Sequence, residues 1–440
     1  MTPSLAESYE VAHDYQNATF RLRENIKFHD GTPVTSEDVK FTFENYRGAN
    51  AKVLKDRTAS IKTPDARTIR FNFTEPFLDF LTIYGTPASG AGWVVPKAYY
   101  QQVGPDGFKQ KPIGAGPYKF VRQIAGTEVE LEAFTEYWRK PPHVKTLIIK
   151  SAPEEATRLA QVQTGEADFG AQVQGPLIDI VRNDPNLRLT TRLGAPFWLE
   201  MPGFEKPDNP FHKLQVRQAV SYALDRQALS DAEQAGLARP LGNWLPLGWP
   251  GAIEKPVLPH DLEKAKQLMA EAGFPDGFEV ESLTPLPPYF SFAERVITQL
   301  RQIGIRTKLQ QMERGAFDQK ITQGPDAFNG LILNISAASG DAAARIRAYA
   351  VCDGSSSRTC VPEIDDRFKR YEASTNPQER TQLLNEIQDY MYDNLIFVPV
   401  FRQAYTNVVG PRVANEWEEI FGAIPQYSFL GPYEDVRMKE

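Results

Sequence analysis

A chain of 440 residues is too long for one hydrophobic core and implies two or three domains. Its 56 acidic and 49 basic residues leave a net charge of -7, which argues against a nucleic-acid partner, because such a partner requires a basic face. Apolar residues make up 41% of the chain, as in ordinary soluble proteins, yet no apolar run is long enough to cross a bilayer.

Phe20 and Leu22 alternate with Arg21 and Arg23, the period-two pattern of a strand with one buried face. Residues 28–33 (FHDGTP) turn the chain, and Thr35 with Asp38 predicts a capping box for a helix that carries Val39, Phe43 and Tyr46. Residues 67–75 alternate as a strand, and 85–92 read as a loop. The Gly-rich turn at 111–118 leads into strands at 119–124 and 128–134, and 146–150 (TLIIK) reads as a short buried strand. A helix over 154–164 ends at Gly165, and one long helix is predicted over 214–229, with Val216, Ala219, Val220, Ala223 and Leu224 as its stripe. Another spans 261–272. Strands at 278–282 and 306–310 flank a helix at 292–303, a βαβ alternation that predicts a mixed α/β sheet. Asn376, Pro377 and Glu379 open the last long helix, with Glu379 returning to the cap, and 395–401 (LIFVPVF) runs as a buried strand. Of the two loop-like stretches dense in Pro, Gly and Trp, 200–213 reads as an inter-lobe crossing and 239–260 as a surface excursion.

Reactive constellations do not emerge. The five histidines, His13, His29, His143, His212 and His260, form no i, i+4 pair and read as isolated turn or surface residues, so no metal is expected. There is no G-x-S-x-G elbow and no phosphate-cradling loop, and Lys119 stands where a dinucleotide fingerprint needs its third glycine. The acidic pairs Glu154/Glu155, Asp365/Asp366 and Glu418/Glu419 are adjacent and point apart, unlike glycosidase carboxylates. No catalytic residue and no cofactor is therefore expected. Trp93, Trp138, Phe197, Trp198, Trp244, Trp249, Tyr289 and Phe290 fall in loops or near element ends, where they serve either packing or an apolar pocket wall. Cys352 and Cys360 bracket a flexible loop and are either a small disulfide of an oxidising compartment or two free thiols. No charged stretch followed by an apolar one opens the chain, which reads as cytoplasmic or as already processed.

Several blocks, in order, resemble one family, the extracytoplasmic solute-binding proteins of peptide-, oligopeptide- and nickel-type ABC importers. They are Leu5–Glu10, the FHDGTPVTSEDVKF block at 28–41, Pro112–Tyr118, Thr164–Asp168, Val216–Arg226, the Pro377–Asn394 helix and LIFVPVF. The resemblance implies a type II periplasmic-binding-protein fold, with two α/β lobes joined by two crossing strands around a ligand cleft. Lobe I would take 1–203 and 404–440, with a subdomain near 24–110, and lobe II 204–403; the crossings fall near 201–206 and 402–405. It further implies periplasmic location, a peptide or other small solute as ligand, permease subunits as partners, a monomer, and no chemistry. Family members carry some tens of residues before the Leu5–Glu10 block, including a first strand and a signal peptide, so this chain reads as a fragment or as starting downstream.

The ligand stretch departs from the family pattern. Where peptide-binding relatives place Gly-Trp and aspartates, this chain has Asn334 to Asp341 (NISAASGD), with Ile335 for the tryptophan and Ala338 at the amine-binding aspartate's place. Losing that carboxylate removes a charge-assisted anchor for an ammonium group. An oligopeptide held through its backbone, or a non-peptide solute, is then expected. Expected contacts are Trp198, Asn334, Ser336 and Asp341, Trp93 on the first lobe, and Tyr289 with Phe290. The rival readings are a solute-sensing receptor domain and a cleft hydrolase.

Overall fold

The structure, a computed structural model, describes residues 4–48, 50–85, 90–245, 248–321, 323–324, 327–336, 341–414 and 432–439. The chain forms two compact units: unit 1 is 1–173, 181–190 and 407–440, and unit 2 is 174–180 and 191–406. The chain thus passes from one unit to the other after Val173, Ile180, Thr190 and Thr406.

Unit 1 opens with β1 (Ala6–Val11), β2 (Asn17–Leu22), α1 (Ser36–Asn45), α2 (Ala51–Asp56), β3 (Thr58–Asp65) and β4 (Thr68–Phe73). The strands form an antiparallel sheet in the order β1-β2-β4-β3. The capping box is present: Asp38 Oδ2 accepts from Thr35 N at 2.9 Å and Thr35 Oγ1 at 2.6 Å. Its other oxygen accepts from Lys97 N at 2.8 Å, which ties α1 to the start of α4 (Lys97–Gln110). α3 (Phe80–Gly85) precedes α4 and takes the first residue of the stretch read as a loop; residues 86–89 lie outside the described set. Phe43, Phe71, Phe77 and Phe80 interlock their rings, with Phe71 and Phe80 centred 5.0 Å apart, in a core that also buries Leu22 and Phe28.

Two of the sequence blocks meet in this unit. His29 N donates to Gly114 O (2.9 Å), Gly114 N donates to His29 Nδ1 (3.2 Å), and His29 Nε2 lies 3.0 Å from Gly116 O. Because Nδ1 accepts, Nε2 carries the proton and donates. His29, read from the sequence as an isolated turn residue, is therefore a clasp on the Gly-rich turn. Burial holds its pKa below the ordinary value; Lys119 adds to that, while the Gly116 hydrogen bond and Asp30 oppose it.

β5 (Tyr118–Ile124), β6 (Glu128–Ala133) and β7 (Thr146–Lys150) form a three-stranded antiparallel sheet. β7 corrects an expectation, for Ile148 and Ile149 are 47% and 48% exposed. β7 is the outer strand, paired to β6 alone; an apolar run signals a strand, and burial needs a second layer as well. α5 (Glu155–Gln163) and β8 (Phe169–Gly170) follow, β8 pairing with the end of the last strand at Val408 and Val409.

α6 (Leu177–Asn183) and β9 (Arg188–Glu200) each straddle a unit boundary, as does the final strand, β15 (Val398–Val409). Between them lie α7 (Leu214–Ala223), α8 (Arg226–Gln234), β10 (Arg239–Pro240), α9 (Leu262–Glu271), β11 (Phe278–Glu279), β12 (Leu283–Pro285), α10 (Phe290–Arg301), β13 (Ile305–Arg306), α11 (Arg314–Ile321), β14 (Leu331–Ile335), α12 (Ala342–Tyr349), α13 (Pro362–Ala373) and α14 (Pro377–Asp393). The central sheet of unit 2 runs β10-β15-β9-β14-β12. Parallel pairs (β12 with β14, β11 with β13) sit beside antiparallel ones, the mixed α/β arrangement read from the sequence.

Three sequence expectations change in unit 2. The single helix over 214–229 is two, because Asp225 caps α8 by accepting from Ala228 N (2.9 Å) and Arg226 turns inward. Arg226, 4% exposed, donates to Pro399 O, Ser221 O, Ser221 Oγ, Leu224 O and Leu258 O, binding the helix junction to β15. The 239–260 segment is no surface excursion, since Asn243, Trp244, Leu245 and Trp249 are buried. Asn376 caps α14 as expected, accepting from Gln378 N and Glu379 N, but the Glu379 carboxylate takes Ser374 Oγ (2.7 Å) rather than the cap.

Candidate functional site

The site builds from the end of β9. The run Phe197-Trp198-Leu199-Glu200-Met201 is apolar except for one acid, and all five residues are buried. A strand's period of two puts Trp198 and Glu200 on one face. The register with β14 sets Asn334 opposite Trp198 and Ile332 opposite Glu200. Glu200 Oε1 accepts from Trp198 Nε1 (2.7 Å), Asn334 Nδ2 (2.8 Å) and Arg358 Nη2 (2.9 Å), while Oε2 accepts from Arg358 Nε at 2.6 Å. The ion pair is sealed, with side chains 1% and 3% exposed. Burial opposes the charge on Arg358, but Coulombic attraction and hydrogen bonds to Glu200 outweigh it and hold the guanidinium above its ordinary pKa.

A second cation lies beside this group. Arg345, fully buried on α12, places its Cζ 4.6 Å from the ring centre of Trp249 and 5.4 Å from that of Trp198, with Trp244 and Tyr349 at 5.8 and 5.7 Å. Its Nη2 donates to Ser336 O. Trp198 meets Trp244 and Tyr349 edge-on at 5.5 and 5.4 Å. Arg358 comes from the loop closed by Cys352 and Cys360, which form a disulfide with Cα atoms 4.3 Å apart.

Trp198 and Asn334 are therefore brought together, with their polar groups engaged inside the protein: Asn334 Oδ1 accepts from Ile335 N (2.9 Å) and its amide goes to Glu200. Ser336 is half-buried. Asp341 caps α12, accepting from Ala344 N (2.7 Å). Residues 337–340, including Ala338, lie outside the described residues. Tyr289, at the cap position of α10, packs edge-on against Phe197 at 4.8 Å, with its hydroxyl 3.3 Å from Gln403 Oε1; Phe290 opens that helix, half-buried. Trp93, in unit 1, is 62% exposed. Sequence reasoning missed Glu200, Arg358 and Arg345. The available signal was the lone acid inside an apolar strand, since a buried carboxylate needs a partner.

Chemically, the arrangement orders side chains, with aromatic faces around Arg345 and a buried carboxylate, Glu200, that accepts from three of its neighbours. Among the described residues no group of three or more His, Cys, Asp or Glu side chains is placed to hold a metal ion.

The family model for bacterial extracellular solute-binding proteins, family 5 (middle region), matches residues 1–357. The chain is 27% identical to heme-binding protein A of Haemophilus influenzae over 462 residues, covering 96% of this chain and 82% of that protein. It is 26% identical to the glutathione-binding protein GsiB of Salmonella typhi over 439 residues, covering 94% and 83%. Among solved structures it resembles the binding protein AgaA in complex with agropinic acid from A. tumefacien R10, with a TM-score of 0.82, 26% identity and coverage of 100% and 90%.

Proposed function

Because this chain belongs to the bacterial extracellular solute-binding proteins of family 5, and so is the substrate-binding component of an ABC importer, we propose that it captures a small peptide or a solute of similar size and releases it chemically unchanged to the permease. The observation that carries this reading is the family match through residue 357, which takes in β9, β14 and α12. Family members bind peptides or small ligands and work with permeases outside the cytoplasm. Among the described residues no helix is long and apolar enough to cross a membrane. We place this protein in the periplasm, a reading to which the disulfide lends support, and propose that it acts as a monomer.

The half-buried residues Tyr289, Phe290, Ser336 and Asp341 are proposed as direct contacts in unit 2, and exposed Trp93 as a contact of its own unit, while Trp198 and Asn334 already have their polar groups engaged inside the protein. Closure around the solute, implied by the family resemblance, belongs to the same proposal. With Ala338 at the amine-anchoring place, the ligand is held without a carboxylate there.

A thermal-unfolding panel tests this reading. Glutathione, haem, agropinic acid and tripeptides with free or acetylated amino termini are each added in excess. A probe at about a hundred times its Kd adds roughly 2.7 kcal/mol, a rise of several degrees in Tm. At least one probe is expected to produce it, and N-acetylation of a binding peptide is expected to cost little. A panel that leaves Tm unmoved overturns the solute reading, and binding abolished by acetylation overturns the reading of Ala338.

A further inference from the structure

Glu200 and Arg358 lie far apart in sequence, and each meets the other fully withdrawn from water. Isolated buried ion pairs add little net stability over apolar packing, so one that is kept invites a second explanation. Here the explanation is geometric. Glu200 Oε1 is the shared acceptor for the indole of Trp198, the amide of Asn334 and one arm of Arg358. Those three donors come from β9, from β14 and from the disulfide loop. Removing the guanidinium would free the carboxylate to rotate and would release both other donors from a fixed point.

The loop that supplies Arg358 is built to present it. Ser357, Arg358 and Thr359 are all buried although they lie in a short polar loop. Around them, Arg347 grips Asp353 through two bonds of 2.7 and 3.0 Å, Cys352 N donates to Asp365 Oδ1 (3.1 Å), and Ser356 N donates to Ala348 O (2.9 Å). The disulfide closes the base of this loop, with the cysteines eight positions apart.

We propose that Glu200 and Arg358 are positioning residues of the solute site: the Cys352–Cys360 loop delivers the Arg358 guanidinium to Glu200, and Glu200 fixes the orientation of Trp198 and Asn334. The proposal rests on the solute-binding reading only for the word "solute"; the mechanical coupling among disulfide, ion pair and indole stands by itself.

The test is a double-mutant cycle on the whole chain that needs no ligand. The disulfide is opened with a water-soluble phosphine, which yields two thiols while the phosphine takes an oxygen from water to become its oxide. Tm and the near-ultraviolet circular dichroism of the indoles are recorded before and after. The same is done for the Glu200→Gln/Arg358→Met double variant, which removes both charges at nearly constant volume. Wild type is expected to lose about 5 °C or more on reduction and to change its indole spectrum. The double variant is expected to lose less than half of that, and the Trp198→Phe variant to show no more than half of the spectral change. Cys352→Ser/Cys360→Ser, should the double charge variant fail to fold, is expected to reproduce the reduced wild-type spectrum. Equal Tm losses with and without the ion pair, or a reduced protein whose indole spectrum is unchanged, overturn the positioning role. A silent ligand panel would sink the solute reading and leave this coupling measurable, so the two failures are distinguishable.

Discussion

His29 offers a sharp test of how unit 1 is held together. Replacing it by alanine removes the side-chain bonds to Gly114 N and Gly116 O and an edge-on contact with Phe134 at 5.3 Å. Each hydrogen bond contributes about 0.5–1.5 kcal/mol net. The ring pair contributes a similar amount, about 0.5–1.5 kcal/mol. The expected loss for His29→Ala is therefore about 1.5–4.5 kcal/mol, and at roughly 2–4 °C per kcal/mol for a body of this size the melting transition should fall by about 3–18 °C. The pH dependence follows from the direction of the shift. Folded His29 resists protonation because it is buried, whereas the unfolded chain takes up a proton near pH 6.5. The unfolded state thus binds more protons below that pH, so the stabilisation is complete above about 6.5 and is lost as pH falls toward the depressed folded value. Protonation would also destroy the acceptor that receives Gly114 N–H. Differential scanning calorimetry on wild type and His29→Gln between about pH 5 and 8 isolates this residue from the other four histidines. Parallel stability curves for the two proteins, or an alanine variant as stable as wild type, would refute the clasp.

Arg226→Met should destabilise unit 2 by about 3 kcal/mol or more, since it leaves the carbonyls of Pro399, Ser221, Leu224 and Leu258 without their shared donor. Urea denaturation measures it, and a loss below 1 kcal/mol (about one ordinary hydrogen bond) would show that the carbonyls find other donors. Ile149→Ser on β7 is expected to change stability by no more than about 0.5 kcal/mol, because that side chain is already half in water. A loss above roughly 1.5 kcal/mol in the same assay would mean that this strand is covered in solution.

Signals that act over a few residues were legible. The Thr35–Asp38 box and the Asn376–Pro377 start each need only a side chain two or three positions from the amide it serves, and both form. Reading the break at Asp225 required knowing that Arg226 would find carbonyls as far away as Pro399, which periodicity does not carry. The segment that holds Trp244 and Trp249 reads as a surface excursion because it is rich in proline and glycine, yet both rings are buried around Arg345. The apolar run of β7 was read correctly as a strand and wrongly as buried, since alternation says nothing about what lies above a sheet. Of the candidate site, Trp198 stands out as an aromatic near the expected crossing and Asn334 as the start of the stretch that corresponds to the relatives' ligand segment. The carboxylate that binds both was passed over because its partner lies 158 positions on.

The covalent bridge at the base of the Arg358 loop has a practical corollary. Trypsin cuts after arginine, and the only bond it could sever at this tip joins Arg358 to Thr359, inside the ring closed by the cysteines. A guanidinium locked on Glu200 is hidden from the enzyme's specificity pocket, so a cut there records an excursion of the loop. The nicked molecule would still migrate as one 49.5 kDa species on a non-reducing gel and part into two pieces only when thiol is added.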